Sequence, residues 1–185
     1  MIDLKSFSAV QIEEIFALAK HLKTSSSSDI LKTGKTVALM FFEPSTRTRL
    51  SFETAAHRCG LGPIIFEGGG KTSLEKGETI EDSVLNVAAM NPQVLIIRCG
   101  NDVNLPQLAK QIRRPIINAG WGVKGHPTQA LLDLFTLQQR WQNLRGQKLV
   151  IVGDVRHSRV AASHLELAKL CGIELAFCGP KEFLP

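Results

Sequence analysis

Two arginines stand where a helix should repel them. Residues 45–49, Ser-Thr-Arg-Thr-Arg, follow the apolar run Val37–Phe42, which reads as a buried strand. From Thr46 onward the pattern turns helical, since Leu50, Phe52, Ala55 and Ala56 can share one face. Ser45 or Thr46 suits the N-cap. The helix dipole is positive at that end, so each guanidinium is disfavoured by a few tenths of a kcal/mol to about 1 kcal/mol. Arg47 and Arg49 make sense there if an anion lies between them and the free backbone N–H groups. Ser45, Thr46 and Thr48 add hydroxyl donors, so this helix start is a candidate phosphate cradle. The competing reading is a solvated cap in which Arg47 pairs with Glu43 or Glu53.

Other residues could join such a cradle. Arg98 follows the apolar residues VLII, a place where a charge is kept only if it reaches the surface or a partner. His126 and Gln129 lie three apart at a helix start and share a face, and Pro127 pre-sets the first turn. An imidazole there can donate to an oxyanion and a carboxamide can bond an amide; the alternative is that both only cap and solvate the helix. Lys76 lies in the Gly-rich stretch GGGKTSLEKGET, 68–79, where a lysine is solvated unless another feature recruits it. IVGD has a single glycine and is no dinucleotide fingerprint. His157 and His164 can share a helix face, but two such residues are a weak metal pattern, so no metal is expected.

The elements that must hold these residues alternate along the chain. A first helix, capped by Ser6 or Ser8, runs to about His21 and buries Ile12, Ile15, Phe16 and Leu22. Strands are expected at 37–42, 62–68, 94–99, 115–120, 148–154 and 173–179. Helices are expected from Thr46, from Thr79 to about Met90, over 105–112 and 126–141, and from Ser158 to a stop at Gly172. SSSSD, 25–29, is a polar loop. Strand–helix alternation predicts an α/β fold, a parallel sheet flanked by helices with right-handed crossovers. Ligands bind such sheets beyond the carboxyl ends of the strands, and Ser45–Arg49, Arg98, Lys124–Gln129 and Asp154–Arg159 all fall there.

Composition narrows the function classes. The 185 residues are 44% hydrophobic, enough for one sizeable core or one domain and part of another. The 22 Lys and Arg against 17 acids are scattered, without the basic clusters and interleaved aromatics of a nucleic-acid binder; anionic small substrates suit that charge equally well. The four cysteines form no C-x-x-C pair and sit in or beside apolar segments, as in a reduced cytosolic protein. No segment approaches the ~18 apolar residues of a membrane span. The first twenty residues read as an amphipathic helix and not a signal peptide, so the expected location is cytoplasmic.

Five motifs in order, STRTR with LSFE, SLEKGET, IIR, HPTQALLDL and VGDVRHSRVA, resemble the aspartate and ornithine carbamoyltransferases across essentially the whole chain. HPTQALLDLFT and the lysine in the SxxKGET loop resemble the aspartate branch; an ornithine or related enzyme is the alternative. The resemblance implies transfer of a carbamoyl group from carbamoyl phosphate to the amine of L-aspartate, a step of pyrimidine biosynthesis, without metal or organic cofactor. It implies that Ser45, Thr46, Arg47 and Thr48 bind the phosphate and that Arg98 bridges phosphate and carbonyl oxygen. By the same resemblance, Thr48 and His126 polarise that carbonyl, and Gln129 holds the carbamoyl amide. Ser73 and Lys76 match residues that reach into a neighbouring subunit's site, and Arg159 matches one that binds an aspartate carboxylate. Arg49 reads as supporting.

A homotrimer is implied for the whole protein, with regulatory or dihydroorotase-type subunits as further partners. By role the chain divides into a carbamoyl-phosphate domain (1–124), a connecting helix (125–144) and the first βαβ unit of a second α/β, aspartate-binding domain (145–185). The family's chains continue past Pro185, so the rest of the aspartate site is expected to be missing. A further alternative is therefore a non-catalytic fragment that binds carbamoyl phosphate or only assembles. KLVIVGD and IELAFCG, near-continuous apolar runs, are expected to expose apolar surface or find a partner.

Overall fold

The computed structural model describes residues 1–24, 34–68, 77–141 and 143–185. Ser73 and Lys76 lie outside the described residues, as does the loop expected at 25–29. By contacts the chain divides into two units, Met1–Ile2 with Ser26–Gly120, and Asp3–Ser25 with Trp121–Pro185. The division expected by role, with boundaries after 124 and 144, is a separate matter from this contact-based one.

The first unit is a four-stranded sheet in the order β2-β1-β3-β4. Its strands are β1 (Thr36–Phe41), β2 (Gly62–Glu67), β3 (Val94–Cys99) and β4 (Ile116–Trp121). β1 pairs in parallel with both β2 and β3. The two inner strands are near-continuous apolar runs because both their faces are covered. β1 is buried after Thr36, and in β3 only Val94 and Arg98 are less than buried. The edge strand β2 has no buried residue, only exposed and half-buried ones.

Among the described residues this unit holds the helices α2 (Thr46–Arg58), α3 (Ile80–Ala89) and α4 (Leu105–Gln111). Thr79 and Asp82 form a reciprocal capping box at the start of α3. Ala56 of α2 joins Val37, Leu39, Phe41, Ile96 and Ala119 in one core cluster, with Phe52 packed against it.

That packing corrects the expected face of α2. Leu50 is 49% exposed and Ala55 is exposed. Phe52 and Ala56 are one turn apart and point at the sheet, whereas Leu50 lies ~200° round the helix from Phe52. Leu22 is likewise exposed, about 240° round from the buried Phe16.

The second unit contains α1 (Ala9–Thr24), α5 (Pro127–Trp141), α6 (Arg159–Cys171) and a parallel pair, β5 (Lys148–Val152) and β6 (Glu174–Cys178). Ser8 caps α1: its hydroxyl accepts from the Gln11 N–H and its own N–H donates to Gln11 Oε1. Ile12 and Phe16 are the buried residues of α1, and the Phe16 ring meets Phe135 of α5 at 5.7 Å. Ser158 caps α6, and Gly172 ends it at φ 68°, the left-handed conformation expected of a C-terminal glycine. β5 alternates between exposed and half-buried, and Val150 and Val152 show the expected apolar exposure at 54% and 74%.

Candidate active site

The first group of candidate residues belongs to the carboxyl edge of the four-stranded sheet. The chain leaves β1 at Phe41 and enters α2 at Thr46, after four intervening residues. Ser45 is the N-cap, extended at φ −164° and ψ 99°, and its hydroxyl makes no capping hydrogen bond. The first intrahelical bond runs from the Arg49 N–H to the Ser45 carbonyl at 3.3 Å. The N–H groups of the residues before Arg49 therefore have no acceptor within the helix.

Thr46 and Arg47 are exposed, while Ser45 and Thr48 are half-buried. Arg47 makes no ion pair with any described residue, so its expected alternative partners, Glu43 and Glu53, do not take it. Arg49 does find one: Nη1 lies 3.2 Å from Glu67 Oε1 at the end of β2. This tie links the first turn of α2 to the neighbouring strand.

Arg98 comes next to this turn through strand register. It pairs with Phe41 across β1 and β3, and the Phe42 N–H donates to the Arg98 carbonyl at 2.9 Å. Its side chain is only 13% exposed. Nη1 donates to the Ala119 carbonyl at 3.3 Å, and Nε lies 3.8 Å from Glu43 Oε2. At 3.8 Å the carboxylate offsets the guanidinium charge without forming a close hydrogen bond. Register thus brings Arg98 and the β1–α2 loop together, a relation that runs of apolar residues in a sequence do not encode.

The second group belongs to the other unit. Trp121–Gly125 closes on itself, with the Trp121 N–H bonded to the Gly125 carbonyl at 3.0 Å and Lys124 Nζ 4.2 Å from the Trp121 ring. Gly122, at φ 46°, makes the turn possible. The loop delivers His126 to the start of α5, where it is 6% exposed. Its backbone N–H donates to Ser163 Oγ at 2.8 Å, and Thr128 Oγ1 stands 3.4 Å from its Nδ1. Gln129 donates from Nε2 to Asp133 Oδ1 at 2.9 Å. Asp133 Oδ2 lies 3.3 Å from Nε2 of the buried His164, whose Nδ1 is 2.9 Å from the Val160 carbonyl.

Sequence reasoning missed Ser163 and Asp133, and weighed His164 only as part of a weak metal pattern. Asp133 was findable, being four residues from Gln129 on one helix. Ser163 and His164 act across to another helix, and no spacing in the chain announces that.

Arg159 is the first residue of α6 and is half-buried. The loop before it holds Asp154, whose carboxylate accepts from the His157 N–H at 3.1 Å and from His157 Nδ1 at 3.0 and 3.1 Å. Desolvation acts to raise the Asp154 pKa. It is outweighed by the His157 side-chain and backbone hydrogen bonds and by the nearby His157 and Arg156 charges, so the carboxyl is held below its ordinary value. Among the described residues there is no cluster of His, Cys, Asp and Glu able to hold a metal ion.

The family profile described as aspartate/ornithine carbamoyltransferase, carbamoyl-P binding domain, matches residues 1–139. The chain belongs to this family. All of its length aligns with the aspartate carbamoyltransferase catalytic subunit of Sulfurimonas denitrificans at 42% identity, covering 63% of that protein. The catalytic subunit of the M. jannaschii aspartate transcarbamoylase matches in structure at 34% identity and a TM-score of 0.87, with all of this chain and 62% of the other covered. Ornithine carbamoyltransferase from Thermus thermophilus also reaches 0.87, at 28% identity over 99% of this chain and 62% of its own. The carbamoyltransferase fold is thus common to both branches. The chain spans about 63% of the length of the curated relative. No described helix is long and apolar enough to cross a membrane.

Proposed function

We propose that this chain supplies the carbamoyl-phosphate half of an aspartate carbamoyltransferase. The observation that carries the reading is the start of α2, where Arg47 has no ion pair with any described residue and stands beside backbone N–H groups without helical acceptors. An anion resolves the repulsion between that arginine and its own helix. Likeness to relatives bearing the aspartate name at 42% identity favours the aspartate branch over the ornithine one.

In this reading Ser45, Thr46, Arg47 and Thr48 hold the phosphate, and Arg98 spans phosphate and carbonyl oxygen. Thr48 and His126 donate to that oxygen, and Gln129 bonds the carbamoyl NH2. The aspartate amine attacks the carbamoyl carbon, charge develops on the oxygen, and phosphate leaves as its bond to that carbon breaks, taking up the proton the amine gives away. Fixed donors around the oxygen stabilise that charge as it forms. Holding two anions side by side supplies a proximity term as well. Arg159 binds an aspartate carboxylate, and Ser73 and Lys76 serve a neighbouring subunit of a cytoplasmic homotrimer.

A calorimetric titration with carbamoyl phosphate, with inorganic phosphate as competitor, tests the reading. Saturable, competitive binding is expected; its absence from the folded chain would reject it. Carbamoylation of aspartate against ornithine, assayed in the whole protein, decides the branch.

A further inference from the structure

We propose that Asp133 and His164 are positioning residues that turn Gln129 into a hydrogen-bond acceptor and so select an acyl phosphate bearing NH2 over one bearing a methyl group. This rests on the function proposed above. The three side chains form one line: Gln129 Nε2 to Asp133 Oδ1 at 2.9 Å, Asp133 Oδ2 to His164 Nε2 at 3.3 Å, and His164 Nδ1 to the Val160 carbonyl at 2.9 Å.

The proton inventory sets the direction of each contact. A carbonyl only accepts, so His164 Nδ1 carries a hydrogen. Its Nε2 faces a carboxylate oxygen, and two lone pairs there would repel. A proton therefore lies between Nε2 and Oδ2, on one atom or the other. The pair is neutral as a whole, which suits a histidine 6% exposed.

Asp133 is thereby held with Oδ1 as an acceptor toward Gln129. A flipped Gln129 amide would set its oxygen against that oxygen, so only one orientation is favourable. One N–H of Gln129 is committed to Asp133, which fixes the orientation of the amide and leaves Oε1 to accept. An acceptor complements a carbamoyl NH2 and offers nothing to the methyl of acetyl phosphate, a molecule of nearly the same shape.

The test titrates carbamoyl phosphate, acetyl phosphate and inorganic phosphate into the parent chain and three variants. The parent should prefer carbamoyl over acetyl phosphate by about tenfold, the worth of one hydrogen bond. Asp133→Ala and His164→Ala should lose most of that preference while inorganic phosphate binds as before. Asp133→Asn keeps an oxygen for Gln129 and offers an N–H to His164 Nε2, so it should retain the preference. An undiminished preference in Asp133→Ala, or an equal loss of all three ligands, would overturn the proposal. A parent chain that binds no phosphate ligand rejects the proposed function instead. The side-chain NH2 resonances of Gln129 then decide the network: they should move in Asp133→Ala and stay in Asp133→Asn, and signals unmoved in Asp133→Ala overturn it.

Discussion

The starts of α2 and α5 treat their polar groups in opposite ways. At α2 the Ser45 hydroxyl makes no cap bond and the exposed Arg47 has no ion pair with any described residue. At α5 the His126 N–H reaches Ser163, and Gln129 is tied through Asp133 to His164. Groups left unspent by the fold are available to a ligand; groups spent on the fold hold a side chain still. Substitution at α2 should then remove binding and spare stability, while substitution around α5 should disturb stability as well.

Arg47→Ala carries the largest expected effect. Affinity for carbamoyl phosphate and for phosphate should fall about 100-fold, the size of one charge-assisted contact of ~2.7 kcal/mol. Chemical denaturation should show stability unchanged or raised by a few tenths of a kcal/mol, because a cation leaves the positive end of a helix. A variant that unfolds easily, or one that binds phosphate as before, would break the contrast.

Ser163→Ala tests the other side. Ser163 is 1% exposed, and its Oγ accepts from the N–H of a buried residue. Removing that acceptor should destabilise the chain by about 1–3 kcal/mol in urea denaturation. A loss within experimental error would mean that α6 does not brace the start of α5.

These two substitutions also mark what the sequence made legible. The charge conflict in STRTR was readable because it is local: two cations at a helix start are visible in five residues. The α3 start at Thr79 and the α6 stop at Gly172 were readable for the same reason, since caps are written in adjacent residues. The buried faces of α1 and α2 were only half legible. Apolar character says that a residue can be buried, but the neighbour's position picks which stripe is, so Phe52 packs and Leu50 does not. The approach of Arg98 to the β1–α2 loop and of His164 to Asp133 depends on strand register and helix packing, which hold no trace in local spacing.

Helix caps give the contrast a control. The Thr79 hydroxyl accepts from the Asp82 N–H at 3.0 Å, so Thr79→Ala should cost about 1 kcal/mol. The Ser45 hydroxyl makes no such bond, so Ser45→Ala should cost close to nothing in stability while weakening phosphate binding. Thermal melts of the two variants side by side check this. Equal losses would mean that Ser45 caps its helix in solution and is not reserved for a ligand.

The smallest effect expected concerns Asp154, where a polar loop is again spent on itself. The side chain and N–H of His157 hold its carboxyl below the ordinary carboxylate value of about 3.9. A carboxyl with a lowered folded-state pKa adds stability that is fully present above that ordinary value and is lost as pH falls through the lowered one. The stability His157 adds is therefore present at neutral pH and fades on the acid limb of the profile, below about pH 4. In His157→Ala the carboxyl resonance of Asp154 should titrate at a higher pH than in the parent, closer to the ordinary value; the loss of stability near neutral pH should be small because the site is exposed, and the two stability profiles should converge as pH falls through the acid limb. A parent Asp154 that already titrates at the ordinary value would show that the loop contact does not form in solution, and would place this loop with the α2 start, among the groups the fold leaves unspent.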